Sequence, residues 1–115
     1  MKIELKRSDV YIPLWCDNQK QAENEQIKVH YKYLTAEDRS KFLIQNASNF
    51  AETARLVFLN NVTKIDNLDL KIDGKKVEST PENILQAPDM YSFFSEVAAH
   101  IIQASQLPEL TKKKS

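Results

Sequence analysis

The sequence predicts an α+β protein, with a small N-terminal antiparallel sheet of about three strands covered by a C-terminal helical part that contains one short hairpin. Three observations predict this class. Apolar and polar residues alternate through much of the first third, apolar residues recur every three or four positions in most of the remainder, and Asp73-Gly74 interrupts that remainder with a strong hairpin signal. A sheet of this size can leave one face to solvent, but its other face needs a cover, which the helices would supply.

The predicted strands cover residues 1–6, 10–16 and 27–33. The first alternates apolar and charged residues and would bury one face, whereas the second carries apolar or aromatic groups on both faces. Pro13 cannot donate a hydrogen bond to a neighbouring strand, which predicts an edge position or a bulge for the second strand. The polar stretch 17–26 predicts a solvated loop, and the third strand has the most regular alternation.

A long helix is predicted from about residue 36 to residue 64. Thr35 is a suitable N-cap, and two acidic residues follow it in the first turn, where they meet the positive end of the helix dipole. Two apolar stripes with helical spacing, slightly rotated from each other, continue through this stretch. A break would fall at Ser48-Asn49, where Asn49 could cap a second helix.

The pair Asp73-Gly74 predicts a type I′ turn, which needs positive φ at both of its central positions. With these residues as the turn, Leu70 lies opposite Val77 and Ile72 lies opposite Lys75. One face of the resulting hairpin is therefore mostly apolar.

Two further helices are predicted after the hairpin. Thr80-Pro81 begins the first, because proline suits the first helical position, and Pro88-Asp89 restarts the chain for the second. The last helix ends near Leu107-Pro108 and has the most regular apolar stripe of the chain, formed by Met90, Phe93, Phe94, Val97, Ala98 and Ile101. We expect a single domain over residues 1–108 and a frayed basic tail over residues 109–115.

Composition limits the functions that the chain can have. Its 16 basic and 16 acidic residues cancel, whereas a nucleic-acid-binding protein is expected to carry a basic excess. Cys16 is the single cysteine and Gly74 the single glycine, which excludes an internal disulfide, a multi-cysteine metal site and a glycine-rich phosphate loop. The start of the chain does not resemble a secretory signal, and no apolar run approaches membrane-spanning length. We therefore expect a cytoplasmic protein that binds neither nucleic acid nor membranes.

The sequence predicts no enzyme, and no catalytic, cofactor-binding or metal-ligating residue. His30 falls on the polar face of its strand, His100 falls beside the apolar stripe of the last helix, and Cys16 adjoins Trp15. These residues lack any local ligand spacing, and such a cysteine is more often a small buried residue than a reactive thiol. The stretch 69–80 superficially resembles a calcium loop, but it has lysine at the third position and threonine in place of the twelfth-position glutamate.

Two large apolar residues of the last helix, Tyr91 and Ile102, lie away from its main stripe. Two interpretations stay open. The helix could be sandwiched between two elements, or these residues could be exposed singly, which is common. Alternatively, they could form a face for self-association or for binding a client protein. Tyr91 and Ile102 are therefore the candidate partner-binding residues.

Four segments of the chain, in this order and spacing, resemble the tail assembly chaperones that tailed phages encode just before the tape measure protein. The segments are YIPLWCDN, EQIKVHYKYLTAEDRSKF, VTKIDNLDLKIDGKKVESTPENILQ and SFFSEVAAHIIQASQLPELTKKK. The family pattern has a strand-to-helix junction of the YLT-AE type, a V..W.GL.D.DGK loop and a TPEN motif. The chain departs from it at Ile65, where tryptophan is common, and at Asn67, where the pattern has glycine.

The resemblance implies a non-enzymatic phage or prophage protein that binds tape measure and tail tube proteins in the cytoplasm of the infected or lysogenic host. Such chaperones are often made in two lengths by ribosomal frameshifting, and the run 112–114 of lysines stands where an adenine-rich slippery sequence would lie, although it also suits a solvating basic tail. Two other classes stay open. The chain could be a structural tail-completion or head–tail connector component of the virion, or a regulator of a host factor, including a small nucleic-acid-binding protein.

Overall fold

The computed structural model describes residues 2–106, and the basic tail with its lysine run lies outside the described residues. It confirms the α+β class. The strands are β1 (Ser8–Tyr11), β2 (Lys28–Lys32), β3 (Val62–Asp66), β4 (Leu70–Ile72) and β5 (Lys75–Val77). The α-helices are α1 (Ala36–Asp38), α2 (Phe50–Asn61), α3 (Pro81–Gln86) and α4 (Tyr91–Gln106), and a π-helix over Arg39–Ile44 continues α1.

Strands β1, β2 and β3 form an antiparallel sheet in that order, so β1 and β3 are its two edges. Val29 in β2 pairs with Tyr11 on one side and with Ile65 on the other, and these three side chains belong to the inner face. At the β1 edge, the N–H of Val10 donates to the Oδ1 of Asp9 at 2.8 Å.

The predicted strand over residues 1–6 is wrong, because residues 2–6 form no strand. The chain after Tyr33 does not continue β2, so no strand lies beside residues 2–6 to pair with them. The N–H of Tyr33 donates to the backbone oxygen of Arg7 at 2.9 Å, but the next N–H, that of Leu34, donates to the hydroxyl of Ser105 in α4 at 2.9 Å. The chain has therefore turned away from the sheet where residues 1–6 would need a partner.

The predicted strand over residues 10–16 is only partly correct, since β1 ends at Tyr11. Residues Trp15–Lys20 form short 3₁₀ turns instead, and Cys16 and Asp17 have φ values of 51° and 56°. Two successive residues in the left-handed region cannot continue a strand. The edge position predicted for this strand is confirmed.

The polar stretch 17–26 is mostly exposed, as predicted, except for Asn18, which is buried. Its Nδ2 donates to the backbone oxygens of Pro13 and Ile27 at 3.0 Å each, and its Oδ1 accepts the N–H of Ile27 at 2.7 Å. One buried amide thus joins the two ends of this stretch, because it satisfies backbone groups that no strand pairs.

The third strand of the sheet, β3, corrects the prediction of a helix to residue 64. Adjacent residues of β2 pair with Val62 and with Lys64, so Thr63 is an extra residue in a β-bulge. The bulge places Val62 and Ile65 on the same inner face although they are three residues apart. That spacing imitates a helical stripe, which explains the incorrect prediction.

The helix starts are largely as predicted. Thr35 caps α1 through a capping box with Asp38. The chain breaks before Asn49, whose Oδ1 accepts the N–H of Glu52 at the start of α2. Thr80 caps α3 and Pro81 occupies its first turn. The predicted break at Ser48-Asn49 is therefore confirmed.

The hairpin is confirmed in its turn and in its register. Asp73 and Gly74 have φ values of 53° and 77°, and Leu70 pairs with Val77 while Ile72 pairs with Lys75. Positive φ at both central positions is the signature of a type I′ turn.

The core lies between the inner face of the sheet and a layer in which α2 packs closely on α4. Its completely buried residues include Val29, Ala54, Val57, Phe58, Ile84, Phe93, Val97, Ala98 and Ile101. Within residues 2–106, none of the helices combines the length and the apolar character that a membrane crossing requires.

Candidate functional site

An open groove of about 1170 Å³ lies between residues 5–7, the end of β2 with the turn that follows it, and the last turn of α2. Its apolar lining consists of Leu5, Tyr33, Leu34, Ala36 and Phe42. The side chain of Leu5 is 72% exposed, whereas Leu34 is buried and Phe42 is partly buried. The apolar surface therefore continues from an exposed rim to a floor that belongs to the core.

Hydrogen bonds made by backbone N–H groups fix the two walls of the groove. The bond from the N–H of Tyr33 to the oxygen of Arg7 holds residues 5–7 beside the end of β2. The bond from Leu34 to Ser105 turns the chain onto α4, and the capping box of Thr35 starts the opposite wall one residue later. The groove is thus the space between residues 5–7 with the end of β2 on one side and the helical segment that follows Thr35 on the other.

Positive charge dominates the groove, which is lined by four cationic residues and one acidic residue: Lys6, Arg7, Lys32, Lys41 and Asp38. Lys41 pairs with Glu37 at 2.8 Å, and this hydrogen bond raises the pKa of the lysine. The Oδ2 of Asp38 accepts the N–H of Thr35 at 3.1 Å. Lys6, Arg7 and Lys32 form no ion pair with any described residue.

Asn61, at the end of α2, also lines the groove although it is only 2% exposed. Its Nδ2 donates to the backbone oxygen of Lys32 at 3.0 Å. Its Oδ1 is buried and accepts no hydrogen bond from the described part of the chain. A buried acceptor without a donor lowers the stability of the fold.

A second polar cluster joins the N-terminal region to α4. The Oε2 of Glu96 accepts the hydroxyl of Tyr11 and the N–H of Leu14, each at 2.7 Å. The ring of Tyr11 stacks on His100 at 3.9 Å, and the Tyr31 hydroxyl lies 3.3 Å from the Nε2 of His100. Burial, followed by the hydrogen bond to Glu96, raises the pKa of Tyr11.

The hydroxyl of Tyr33 extends this hydrogen bonding to β1, because it donates to the Oδ2 of Asp9 at 2.8 Å. The bond from the Val10 N–H is the largest cause that lowers the pKa of Asp9, and the Tyr33 hydroxyl adds to it. Burial and the bond to Asp9 raise the pKa of Tyr33. These contacts hold β1 in place on β2 and α4.

The structure does not bring the two histidines and the cysteine together. His30 lies on the outer face of the sheet, where its Nε2 is 2.7 Å from the Oδ2 of Asp66, and this contact lowers the pKa of Asp66. His100 lies on the inner side of the sheet. Cys16 is exposed, so the expectation of a buried cysteine is wrong: its positive φ places it in a surface turn. In residues 2–106, no three His, Cys, Asp or Glu side chains could share a metal ion.

The candidate partner-binding residues Tyr91 and Ile102 differ in exposure. Tyr91 is 50% exposed and its ring lies nearly perpendicular to that of Phe94, with 5.1 Å between the ring centroids, whereas Ile102 is partly buried against the core. They are eleven residues apart and so lie on nearly the same side of α4. Their role in partner binding stays a prediction.

The cationic residues of the groove were missed by sequence reasoning because they come from three separate segments. Lys6 and Lys32 each alternate with apolar residues, which is the pattern of any solvated strand face. The neutral net charge of the chain also conceals a local excess of positive charge.

Models of protein families, curated proteins and solved structures contain no match to the chain.

Proposed function

We propose that the protein is a non-enzymatic binding module that acts as a phage tail assembly chaperone and holds tape measure and tail tube proteins competent for assembly. The observation that carries this proposal is the open groove, in which exposed Leu5 continues into the apolar floor at Leu34 and Phe42. An apolar surface that continues in this way suits the capture of another protein's apolar side chains.

The position of the resemblance adds support. Residues 33–36 belong to the segment that resembles the strand-to-helix junction of the chaperones, and all four line the groove. The other matching motifs, Asp73-Gly74 and Thr80-Pro81, form a turn and a helix start. One of the three motifs that carry the resemblance thus lies at the candidate site.

Co-expression with the tape measure protein tests the proposal. The soluble fraction of the tape measure protein, and in a second experiment that of the tail tube protein, is measured with the wild-type chain, with no chain and with an unrelated protein of similar size. A chaperone raises the soluble fraction and co-purifies with its client. An unchanged soluble fraction for both the tape measure and the tail tube proteins would refute the proposal.

Mass spectrometry of purified particles distinguishes the chaperone from a structural component of the virion. A chaperone acts before the tail is complete and is absent from the particle. A connector or tail-completion protein is present in several copies per particle, and its detection at such a level would replace our proposal.

A further inference from the structure

We infer that the groove binds an acidic amphipathic segment of a protein partner, in which carboxylates flank apolar side chains. This inference names the client chemistry of the proposed chaperone and rests on the proposed function only in taking the partner to be a protein. It depends on two properties of the groove: its charge, and its size together with its apolar lining.

Charge selects an acidic occupant. Lys6, Arg7 and Lys32 approach the groove from its sheet side without an ion pair in the described structure, whereas Lys41 on the opposite wall is already paired with Glu37. Carboxylates of a bound segment would therefore lie along the sheet side of the groove. Complementary charge of this kind chiefly sets orientation and the rate of association.

Size and lining favour an occupant larger than a small anion. The groove has about 1170 Å³ and is open, whereas pockets for small molecules usually have roughly 300–1,000 Å³ and enclose their ligands. A phosphate or a small carboxylate would use the cations but leave the apolar floor at Leu34 and Phe42 empty. Only a segment that carries both acidic and apolar side chains uses the whole surface.

The test measures fluorescence anisotropy of a short fluorescein-labelled peptide in which Glu and Leu alternate in an amphipathic pattern. A second peptide has Lys in place of each Glu. The groove variant combines Arg7→Glu with Lys32→Glu, which are exposed side chains outside the core. The control combines Lys71→Glu with Lys76→Glu, an exposed cross-strand pair in the hairpin that undergoes the same change of charge.

We expect the full-length chain to bind the Glu peptide and not the Lys peptide. The groove variant should bind the Glu peptide roughly tenfold more weakly, whereas the control variant should bind it as the wild-type chain does. Circular dichroism establishes that both variants are folded. Equal weakening in the two variants would overturn the inference, since it would show a response to net charge alone.

The same variants, used in the co-expression assay, separate this inference from the proposed function. If the wild-type chain keeps the tape measure protein soluble and the groove variant does so equally well, the groove inference is wrong and the chaperone role stands. If the Glu peptide binds at the groove but no client is kept soluble, the chaperone role is wrong and the groove inference stands. Displacement of the peptide by a single-stranded oligonucleotide at lower concentration would overturn the inference in favour of nucleic acid.

Discussion

Removal of the Glu96 carboxylate should weaken the attachment of the N-terminal region to α4. The Oε2 of Glu96 accepts two hydrogen bonds of 2.7 Å, one from the Tyr11 hydroxyl and one from the Leu14 N–H. Hydrogen bonds to a charged group contribute about 1.5–3 kcal/mol each when they are buried. The bond from Tyr11 is partly buried and the bond from Leu14 is exposed, so we take the lower end of this range, about 1–1.5 kcal/mol for each.

Three variants divide this contribution. Tyr11→Phe loses one bond and should lower the free energy of unfolding by about 1–1.5 kcal/mol, whereas Glu96→Leu loses both and should lower it by about 2–3 kcal/mol. Glu96→Gln keeps a neutral acceptor oxygen and is the matched control, with an expected loss of about 1 kcal/mol or less. Urea denaturation followed by far-UV circular dichroism gives the three free energies.

The double variant Tyr11→Phe with Glu96→Leu completes a cycle that isolates the bond between the two side chains. We expect it to be no less stable than Glu96→Leu alone, because the bond is already lost. If Glu96→Leu is no more destabilising than Tyr11→Phe, the bond to the Leu14 N–H contributes nothing. The account of how β1 is held on α4 would then be incorrect.

Three further results are expected. Gly74→Val should lower the free energy of unfolding by about 1–3 kcal/mol in urea denaturation, because valine is strained at a φ of 77° although no atom obstructs its Cβ. Asp73→Asn should be neutral, and an unchanged free energy of unfolding for Gly74→Val would mean a different turn. The free energy of unfolding should fall as the pH rises above about 10, because tyrosine ionises there in the unfolded chain while the raised pKa of Tyr33 keeps it protonated in the folded one. A Tyr33→Phe variant should lose part of this pH dependence in urea denaturation. An equal dependence in the variant would exclude Tyr33 as a contributor. Tyr91→Glu with Ile102→Glu should abolish client binding in a pull-down, or self-association in analytical ultracentrifugation, while the far-UV circular dichroism spectrum stays unchanged. If the double variant unfolds while Tyr91→Glu alone binds normally, the face belongs to the core.

The parts of the fold that the sequence predicted correctly are those with a local cause. A capping threonine, a capping asparagine and the pair Asp73-Gly74 each act through backbone groups no more than a few residues away, so their effect can be read without the rest of the chain. The strand β3 could not be predicted in this way. Its bulge at Thr63 depends on pairing with β2, which is some thirty residues earlier in the chain.

The groove could not be predicted for a related reason. The N-terminal residues alternate apolar and charged side chains as a strand does, but whether they pair depends on the acceptor of the Leu34 N–H. That acceptor is the hydroxyl of Ser105, more than seventy residues later in the chain. Because residues 2–6 find no partner strand, Lys6 and Arg7 remain beside the end of β2 and form one wall of the groove. Neither their position nor the unpaired oxygen of Asn61 has a local sequence signal.

The hydrogen bond from Val10 to the carboxylate of Asp9 has a consequence for how copies of the protein behave at high concentration. Unpaired backbone donors on an edge strand are a template for the addition of another strand and thus for aggregation. On β1 the Val10 donor is engaged by a charged side chain, and on the opposite edge β3 carries a bulge together with Lys64 and Asp66. Growth of the sheet from copy to copy would have to break these contacts and bury their charges. Both edges of the three-stranded sheet are therefore protected against the addition of a strand from another copy.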